Sequence, residues 1–223
     1  MEIDFSKEVY ERAVNYHNIK TMVWPIGDKG AYDGPLQDWQ ESHEDFLKEV
    51  TSYNVVIQAG GCCGMYPLLY SQYFKHVYTF EPSRLNFYCL EQNCKDISNI
   101  KYVNRALHSG TNVCTMNVDE RNNVGVHNVN AMGIGDVKMM SLDQLYEDYQ
   151  IQHCDLIHLD TESHERYILL GAENTIKKYK PVIILEDQGS DCSETLNSLD
   201  YKLHKVLRLD RIWLHEDHPN NIN

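Results

Sequence analysis

Residues 55–70 read VVIQAGGCCGMYPLLY, and this segment sets the pattern for the rest of the chain. A short apolar run is followed by three of the chain's 12 glycines within five positions, namely Gly60, Gly61 and Gly64. Pro67 then falls in the first turn of an expected helix, where proline is tolerated because the missing N–H has no intrahelical partner. The segment therefore predicts a buried strand, a glycine turn and a helix.

The alternation of strand and helix continues along the chain. Strands are predicted at residues 55–57, 76–80, 100–104, 154–160 and 181–186, and helices at 83–96, 141–149, 164–179 and 190–199. Residues 110–130 are polar and predict an irregular hairpin, and residues 201–216 predict a terminal hairpin. Short apolar strands that alternate with helices are typical of a mostly parallel sheet with helices on both faces. The terminal hairpin is expected to add antiparallel strands at one edge.

The N-terminal residues depart from this pattern. They predict a helix over residues 1–20, a loop over 24–35 that contains Trp24, Tyr32 and Asp33, and a helix over 36–50. We therefore divide the chain into an N-terminal helical extension, residues 1–50, and a main domain, residues 51–223. The extension is interpreted either as a lid over the substrate or as a packed arm.

The composition argues against several classes of protein. The net charge of −13 at pH 7 disfavours general nucleic-acid binding, because such a surface repels phosphates. No apolar segment approaches the roughly 18 residues of a membrane span, and the acidic N-terminus does not resemble a signal peptide, so a cytoplasmic protein is expected. Seven cysteines without a CxxC pair predict reduced thiols. Adjacent Cys62 and Cys63 are interpreted as small residues that fill the turn, with a redox-active pair as the alternative.

The glycine turn and the end of the second strand together predict a nucleotide-like ligand. Glycines let a ligand approach the backbone, and the helix that follows presents free N–H groups. Glu81 follows the second predicted strand, 17 residues after Gly64, where a carboxylate holds ribose hydroxyls in sheets of this kind. The spacing GGCCG differs from GxGxxG and disfavours a nicotinamide dinucleotide. Glycines required only for the turn or for helix packing are the alternative.

Six segments in order resemble FkbM-type methyltransferases. They are VVIQAGGCCGMYPLLY, VYTFEPSRLNFYCLEQN, IKYVNRALHSG, MMSLDQL, LIHLDTESHERYILLGAENTI and KPVIILE. The resemblance covers roughly residues 50–190, and its most specific parts are FEP and LDTESHE…LLGAE. It implies a Rossmann-like class I methyltransferase fold with a seven-stranded sheet, and S-adenosylmethionine as the methyl donor, with S-adenosylhomocysteine as the product.

The resemblance also implies roles for matching positions. The glycine turn would hold the methionine end of the cofactor through Gln58, Gly60, Gly61, Cys62 and Gly64. The ribose and adenine would lie near Glu81, Pro82, Asn104, Arg105 and Ala106, and Asp160 would face the methyl-transfer site. The chain departs from the family at Gln58, which is usually acidic, at His158, which is usually lysine, and at Ser163, which is usually glycine.

The sequence HLDTESHE, residues 158–165, supplies candidate catalytic groups. A hydroxyl acceptor benefits from a general base, and Asp160, Glu162 and His164 are the candidates. Glu165 is equally consistent with a helix start, where carboxylates are favourable. Asp160, Glu162 and Glu186 could alternatively hold a divalent cation, but their spacing is not diagnostic, and no metal site is predicted.

These observations predict a methyltransferase that uses S-adenosylmethionine to methylate a hydroxyl of a small molecule or sugar. Gln58 and Ser163 motivate one alternative, a non-catalytic module that binds S-adenosylmethionine or a partner. An RNA-directed methyltransferase is a second, which the acidic composition disfavours. A nicotinamide-dependent oxidoreductase is a third, which the glycine spacing disfavours. Neither a nucleic-acid partner nor a membrane partner is expected.

Overall fold

A computed structural model describes residues 4–16, 19–28, 45–110, 113–117, 123, 128–130, 136–186 and 192–220. After a short 3-10 turn at Phe5–Lys7, the chain forms an antiparallel hairpin of β1 (Val9–Tyr16) and β2 (Ile19–Pro25). The helix predicted over residues 1–20 is therefore wrong. Tertiary packing overrides the helical propensity of this segment, because β2 places Met22 and Trp24 in the core on alternate positions.

Eleven further strands follow among the described residues. In chain order they are β3 (Val55–Ala59), β4 (His76–Phe80), β5 (Ile100–Val103), β6 (Ala106–Leu107), β7 (Val113–Asn117), β8 (Asn128–Asn130), β9 (Val137–Met140), β10 (Leu156–Leu159), β11 (Val182–Glu186), β12 (Tyr201–Leu207) and β13 (Asp210–His215). Six helices have both of their ends in the described residues: α1 (Met65–Tyr70), α2 (Arg84–Cys94), α3 (Leu142–Tyr149), α4 (Glu165–Leu170), α5 (Glu173–Tyr179) and α6 (Ser193–Asn197).

The central sheet has seven strands in the order β12-β13-β11-β10-β3-β4-β5. Strands β3, β4, β5, β10 and β11 are parallel, and β13 runs antiparallel to β11. This confirms the predicted Rossmann-like α/β class, including the antiparallel C-terminal hairpin. The chain leaves β3 toward β4 on one side, while β10 occupies the other side. A ligand crevice forms at such a switch point, beyond the carboxyl ends of the strands.

Hydrophobic clusters cover both faces of the central sheet. Val56 packs with residues of α1 and α2, whereas Val55 and Ile57 pack with residues of α3, α4, α5 and α6. The alternation follows from the pleat, which points successive side chains to opposite faces. The core therefore holds the strand ends, and the loops that follow them, in fixed positions.

Several predicted elements differ from the structure in detail. The helix predicted over residues 164–179 is interrupted at Gly171, which gives α4 and α5. A Cβ on Gly171 would lie 2.3 Å from the carbonyl oxygen of His108, so this close contact requires glycine. The predicted hairpin over 110–130 is found as antiparallel β7 and β8, joined to β9, which was not predicted. The loop over 24–35 and the helix over 36–50 lie mostly outside the described residues. No helix in the described ranges is long and apolar enough to cross a membrane.

Candidate functional site

A cleft that is partly open to solvent lies beyond the carboxyl ends of β3, β4 and β10. Its walls come from the glycine turn after β3, the loop after β4, the short strand β6, the loop after β10 and strand β2. The cleft therefore lies at the edge of the sheet where the sequence analysis predicted a ligand site.

The glycine turn is held tightly between β4 and β10. The backbone N–H groups of Gly60 and Gly61 both donate to the carbonyl oxygen of Phe80, at 3.1 and 2.9 Å. Gly60 and Gly64 have φ values of +83° and +102°. A Cβ on Gly60 would lie 1.7 Å from the carbonyl oxygen of Asp160, so only glycine allows this approach. The turn thus brings the ends of all three strands together.

Gln58 supports the turn from beneath rather than lining the cleft. Its side chain is fully buried, and its amide nitrogen donates to the carbonyls of Ala59 and Gly60 at 3.1 and 2.9 Å. Its amide oxygen accepts a hydrogen bond from the hydroxyl of Thr79. Gln58, predicted as a cofactor-binding residue, therefore uses its amide on the protein's own groups.

Glu81 joins the glycine turn to the loop after β4. One carboxylate oxygen accepts from the backbone N–H of Cys62, and the other from that of Ser83, both at 2.8 Å. Burial raises the pKa of Glu81 to about 7, although the two backbone hydrogen bonds oppose the shift. Ser83 precedes α2 as predicted, but its side chain makes no capping hydrogen bond. The carboxylate keeps lone pairs for further donors, because each oxygen can accept more than one hydrogen bond.

The residues after β5 form the opposite wall. Arg105 and Ala106 line the cleft, together with apolar side chains from Phe80, Leu107 and Ile168. Asn104 does not line it, because its amide donates to the carbonyls of Glu81 and Pro82 at 2.8 and 3.2 Å. An apolar wall next to a carboxylate that can accept from hydroxyls fits a nucleoside, with the base on the wall and the ribose near Glu81.

Asp160 is one of four carboxylates that lie close together at the end of the sheet. Ligand oxygens of Asp160, Glu162 and Glu186 all lie within 4.8 Å of one another, and Asp210 pairs with Glu186 across β11 and β13. Burial raises the pKa of Asp160, and the neighbouring Glu186 carboxylate raises it further. Burial and Glu186 also raise the pKa values of Glu162 and Asp210 to about 7. Asp160 lines the cleft, whereas Glu162 does not.

His164 lines the cleft close to Asp160. The side chain is only 5% exposed, and its Nε2 atom has no hydrogen-bond partner among the described residues. Its ring lies 5.2 Å from that of His108 and 5.1 Å from that of Tyr167, centroid to centroid. Burial, followed by the nearby His108, lowers the pKa of His164 to about 4. The imidazole is therefore neutral at pH 7 and carries a lone pair.

Glu165 has a local structural role. Its Oε1 atom accepts from the backbone N–H and the hydroxyl of Thr161, at 2.9 and 2.8 Å. The carboxylate closes the turn that contains Glu162 and Ser163, both of which have positive φ. The alternative interpretation of Glu165 as a helix-start residue therefore agrees with the structure.

Most of the predicted site residues converge on one cleft. Those that line it are Gly60, Gly61, Cys62, Glu81, Pro82, Arg105, Ala106, Asp160 and His164. Those that do not line it are Gln58, Gly64, Asn104 and Glu162, which hold the turn, the adjoining loop or the carboxylate group. Sequence reasoning missed Tyr66, Asn86 and Thr161, and it placed Trp24 in a loop. The apolar residues Met22, Val23 and Trp24 in succession were the available sequence signal for a buried strand.

Comparisons with known proteins agree with this fold and indicate the family. The family model described as the methyltransferase FkbM domain matches residues 63–217. No curated protein matches the sequence significantly. Among solved structures, a methyltransferase FkbM from Methylobacillus flagellatus has a TM-score of 0.51 at 17% identity, covering 73% of this chain and 44% of its own. The protein yhhF from Escherichia coli, assigned as a methyltransferase, has a TM-score of 0.50 at 13% identity, covering 92% of this chain and 98% of its own. This chain thus spans less than half the length of the Methylobacillus protein.

Proposed function

The chain belongs to the FkbM methyltransferase family, and we propose that it transfers a methyl group from S-adenosylmethionine to a hydroxyl of a small molecule or sugar. S-adenosylmethionine supplies an electrophilic methyl group on a sulfonium. The protein's task is then to hold the donor and the acceptor in line and to accept the proton that the hydroxyl loses.

The observation that carries the proposal is the link between Glu81 and the glycine turn. The Glu81 carboxylate accepts from the N–H of Cys62, so one hydrogen bond fixes the distance between the turn and the carboxylate. A nucleoside with an amino-acid tail needs both features at once. The turn would face the tail and Glu81 the ribose hydroxyls, while the apolar wall would take the base.

The groups beside Asp160 support methyl transfer rather than binding alone. The raised pKa of Asp160 makes its carboxylate a stronger base than an exposed aspartate. His164 offers a neutral imidazole in the same wall. We assign Asp160 as the proton acceptor for the substrate hydroxyl and His164 as a hydrogen-bonding group that orients it. Glu162 would act on Asp160 electrostatically, since it does not line the cleft.

Calorimetric titration with S-adenosylmethionine and S-adenosylhomocysteine tests the cofactor, with NADH as a control ligand. We expect micromolar binding of the two sulfur nucleosides and none of NADH. Glu81→Gln removes the negative charge while keeping the size of the side chain. It should weaken binding by about tenfold to a hundredfold, because hydrogen bonds to charged groups contribute about 1.5–3 kcal/mol.

Asp155→Asn provides the matched control. Asp155 also accepts from two backbone N–H groups, those of Asn54 and Val55, at 2.8 and 2.7 Å. It lies just before β10, at the opposite end of the sheet from the cleft. Equal losses of binding in both variants would indicate general destabilisation. A folded wild-type protein that binds neither sulfur nucleoside would contradict the proposal and favour a partner-binding module.

A further inference from the structure

The N-terminal hairpin contributes one wall of the cleft. Trp24 of β2 lines the cleft and is only 1% exposed, and it belongs to the same hydrophobic cluster as Cys63, Met65 and Tyr66. Those three residues form the end of the glycine turn and the start of α1. The hairpin precedes residues 63–217, which match the family model. This wall therefore comes from a segment outside the part of the chain that matches the family model.

Asn93 of α2 connects the hairpin to the glycine turn. Its amide oxygen accepts from the backbone N–H of Val23 at 2.7 Å, and its amide nitrogen donates to the carbonyl of Val23 at 3.0 Å. The same nitrogen donates to the carbonyl of Cys63 at 2.8 Å. The Asn93 side chain thus makes both backbone hydrogen bonds with Val23 that a neighbouring strand would make. It also holds the glycine turn through Cys63.

Trp24 is oriented from two further directions. Its indole N–H donates to the carboxylate of Asp28 at 2.8 Å. The guanidinium of Arg12, from the partner strand β1, lies 5.1 Å from the ring centroid. Both contacts come from within or next to the hairpin, so the ring position depends on where the hairpin docks. Since Asn93 binds the residue immediately before Trp24, it sets that docking position.

The turn tolerates little movement relative to α2. A Cβ on Gly64 would lie 3.1 Å from the Cys94 sulfur and 3.7 Å from the Asn93 Cβ. A Cβ on Gly61 would lie 2.5 Å from a methyl group of Leu90. The helix α2 therefore packs directly against the turn, and Asn93 is the polar contact within that packed surface. A change at Asn93 should reach both the turn and the hairpin.

We propose that the N-terminal hairpin is part of the cofactor site, with Trp24 as a ligand-contacting wall and Asn93 as the positioning residue that couples the hairpin to the glycine turn. This inference rests on the proposed use of a sulfur nucleoside. Trp24 lies beside the turn and the start of α1, so it faces the end of the ligand that carries the amino-acid tail and the reacting methyl group.

Asn93→Asp tests the coupling. The substitution keeps the acceptor for the Val23 N–H but places a carboxylate oxygen against two backbone carbonyls. S-adenosylhomocysteine binding should weaken by about tenfold, the effect of losing roughly 1.4 kcal/mol. Asn99→Asp is the matched control, because Asn99 donates from its amide to two backbone carbonyls, those of Ser71 and Phe74, away from the cleft. It should lower the melting temperature similarly and leave binding unchanged.

Tryptophan fluorescence distinguishes contact of Trp24 with the ligand from a purely structural role of Trp24, because a purely structural role would leave the emission unchanged when ligand is added. The chain has three tryptophans, so Trp39→Phe with Trp213→Phe leaves Trp24 as the reporter. Addition of S-adenosylhomocysteine should change the Trp24 emission, and Asn93→Asp should reduce that change at saturating ligand. If the double variant does not fold, calorimetry of Trp24→Phe in the wild-type background replaces the fluorescence test. This variant should bind S-adenosylhomocysteine more weakly than the wild-type protein.

The outcomes separate this inference from the proposed function. If the wild-type protein binds S-adenosylhomocysteine and Asn93→Asp binds it equally well, the coupling is wrong and the proposed function stands. Unchanged Trp24 emission, together with full binding by Trp24→Phe, would also overturn the assigned wall. If the wild-type protein binds no sulfur nucleoside, the proposed function fails first and the inference fails with it.

Discussion

The two sides of the cleft satisfy their polar groups in different ways. On the turn side, Glu81 accepts from two backbone N–H groups, and the amides of Gln58 and Asn104 bind backbone carbonyls. On the other side, Asp160 lies next to two further carboxylates, and the buried Nε2 atom of His164 has no partner among the described residues. One side is internally paired, whereas the other combines like charges with a buried Nε2 atom that has no partner in the described part of the chain.

Under the proposed function, this difference favours the turn side for binding and the Asp160 side for reaction. Groups whose partners are already in place keep their geometry without a ligand, so binding costs little reorganisation. Like-charged carboxylates and a buried neutral histidine destabilise the protein, and such shifted groups cluster at functional sites. The stability lost beside Asp160 is offset by the packing of the sheet around it.

The turn connecting the two sides should be the least tolerant position in the molecule. Gly60→Ala would place a Cβ 1.7 Å from the Asp160 carbonyl oxygen, at a φ of +83°. We expect a loss of more than about 4 kcal/mol in the free energy of unfolding, because steric overlap adds to backbone strain. Urea unfolding measures the loss.

Gly27→Ala separates the strain from the overlap. Gly27 has nearly the same φ, +84°, but no atom lies within 4 Å of its would-be Cβ. Its alanine variant should lose only about 1–2 kcal/mol. Similar unfolding free energies for the two variants would mean that β3 and β10 do not approach as closely as described.

On the turn side of the cleft, loss of the Gln58 amide alone should clearly lower the free energy of unfolding. Gln58→Leu leaves the Thr79 hydroxyl and the carbonyls of Ala59 and Gly60 without this partner in the core. The free energy of unfolding should fall by about 2 kcal/mol, the usual cost of unsatisfied buried polar groups. Gln152→Leu is the control, because exposed Gln152 also donates to a nearby backbone carbonyl, that of Gln150. A loss no larger than the control's would show that the turn does not depend on Gln58.

The sequence specified the parallel sheet and most of the cleft because both depend on local signals. Short, largely apolar segments of three to six residues predicted β3, β4 and β11, and the glycines with Glu81 predicted the turn and its carboxylate. Sheet geometry then brought these residues together, since the carboxyl ends of parallel strands meet at one edge. This geometry agrees with the prediction of one site for Gly60 and Asp160, which the resemblance to FkbM-type methyltransferases implied.

The hairpin and the side-chain assignments could not be predicted in the same way. VYERAVNY has residues compatible with a helix, and only its pairing with β2 and the packing of β2 on α2 select a strand. Gln58 and Asn104 lie at expected cofactor positions, yet nearby carbonyls bind their amides. A pattern of residue types gives the position of a polar group, but the tertiary structure determines its partners.

The carboxylate side should become more stable as the pH falls. The pKa values of Glu162 and Asp210 are raised to about 7, so the folded protein holds these protons more tightly than the unfolded chain. Their contribution to stability is complete below their ordinary pKa values, near 4, and is lost as the pH rises through about 7. The melting temperature of wild-type protein relative to Glu162→Gln should therefore rise by a few degrees between pH 7.5 and pH 5.5.

Glu173→Gln is the control for that comparison. Glu173 is exposed and pairs with Lys177 on α5, far from the carboxylate group. The melting temperature of wild-type protein relative to Glu173→Gln should not rise between pH 7.5 and pH 5.5. If Mg²⁺ at pH 7.5 raises the melting temperature of wild-type protein but not that of Glu162→Gln, the group binds a cation, and charge repulsion is the wrong account.

The smallest expected effect concerns His164, which should show no titration where histidines ordinarily titrate. Burial and the neighbouring His108 lower its pKa to about 4, so the folded protein opposes protonation. The pH dependence of stability that results from His164 is opposite to that from the carboxylates, because the lowered pKa of His164 destabilises the folded protein as the pH falls below about 6.5. In NMR spectra, the imidazole signal that disappears in His164→Gln should keep a constant chemical shift from pH 8 to pH 5.5, while free histidine in the same sample moves. A midpoint near pH 6.5 would mean that water reaches Nε2, and the contrast between a paired side and a desolvated side of the cleft would then rest on the carboxylates alone.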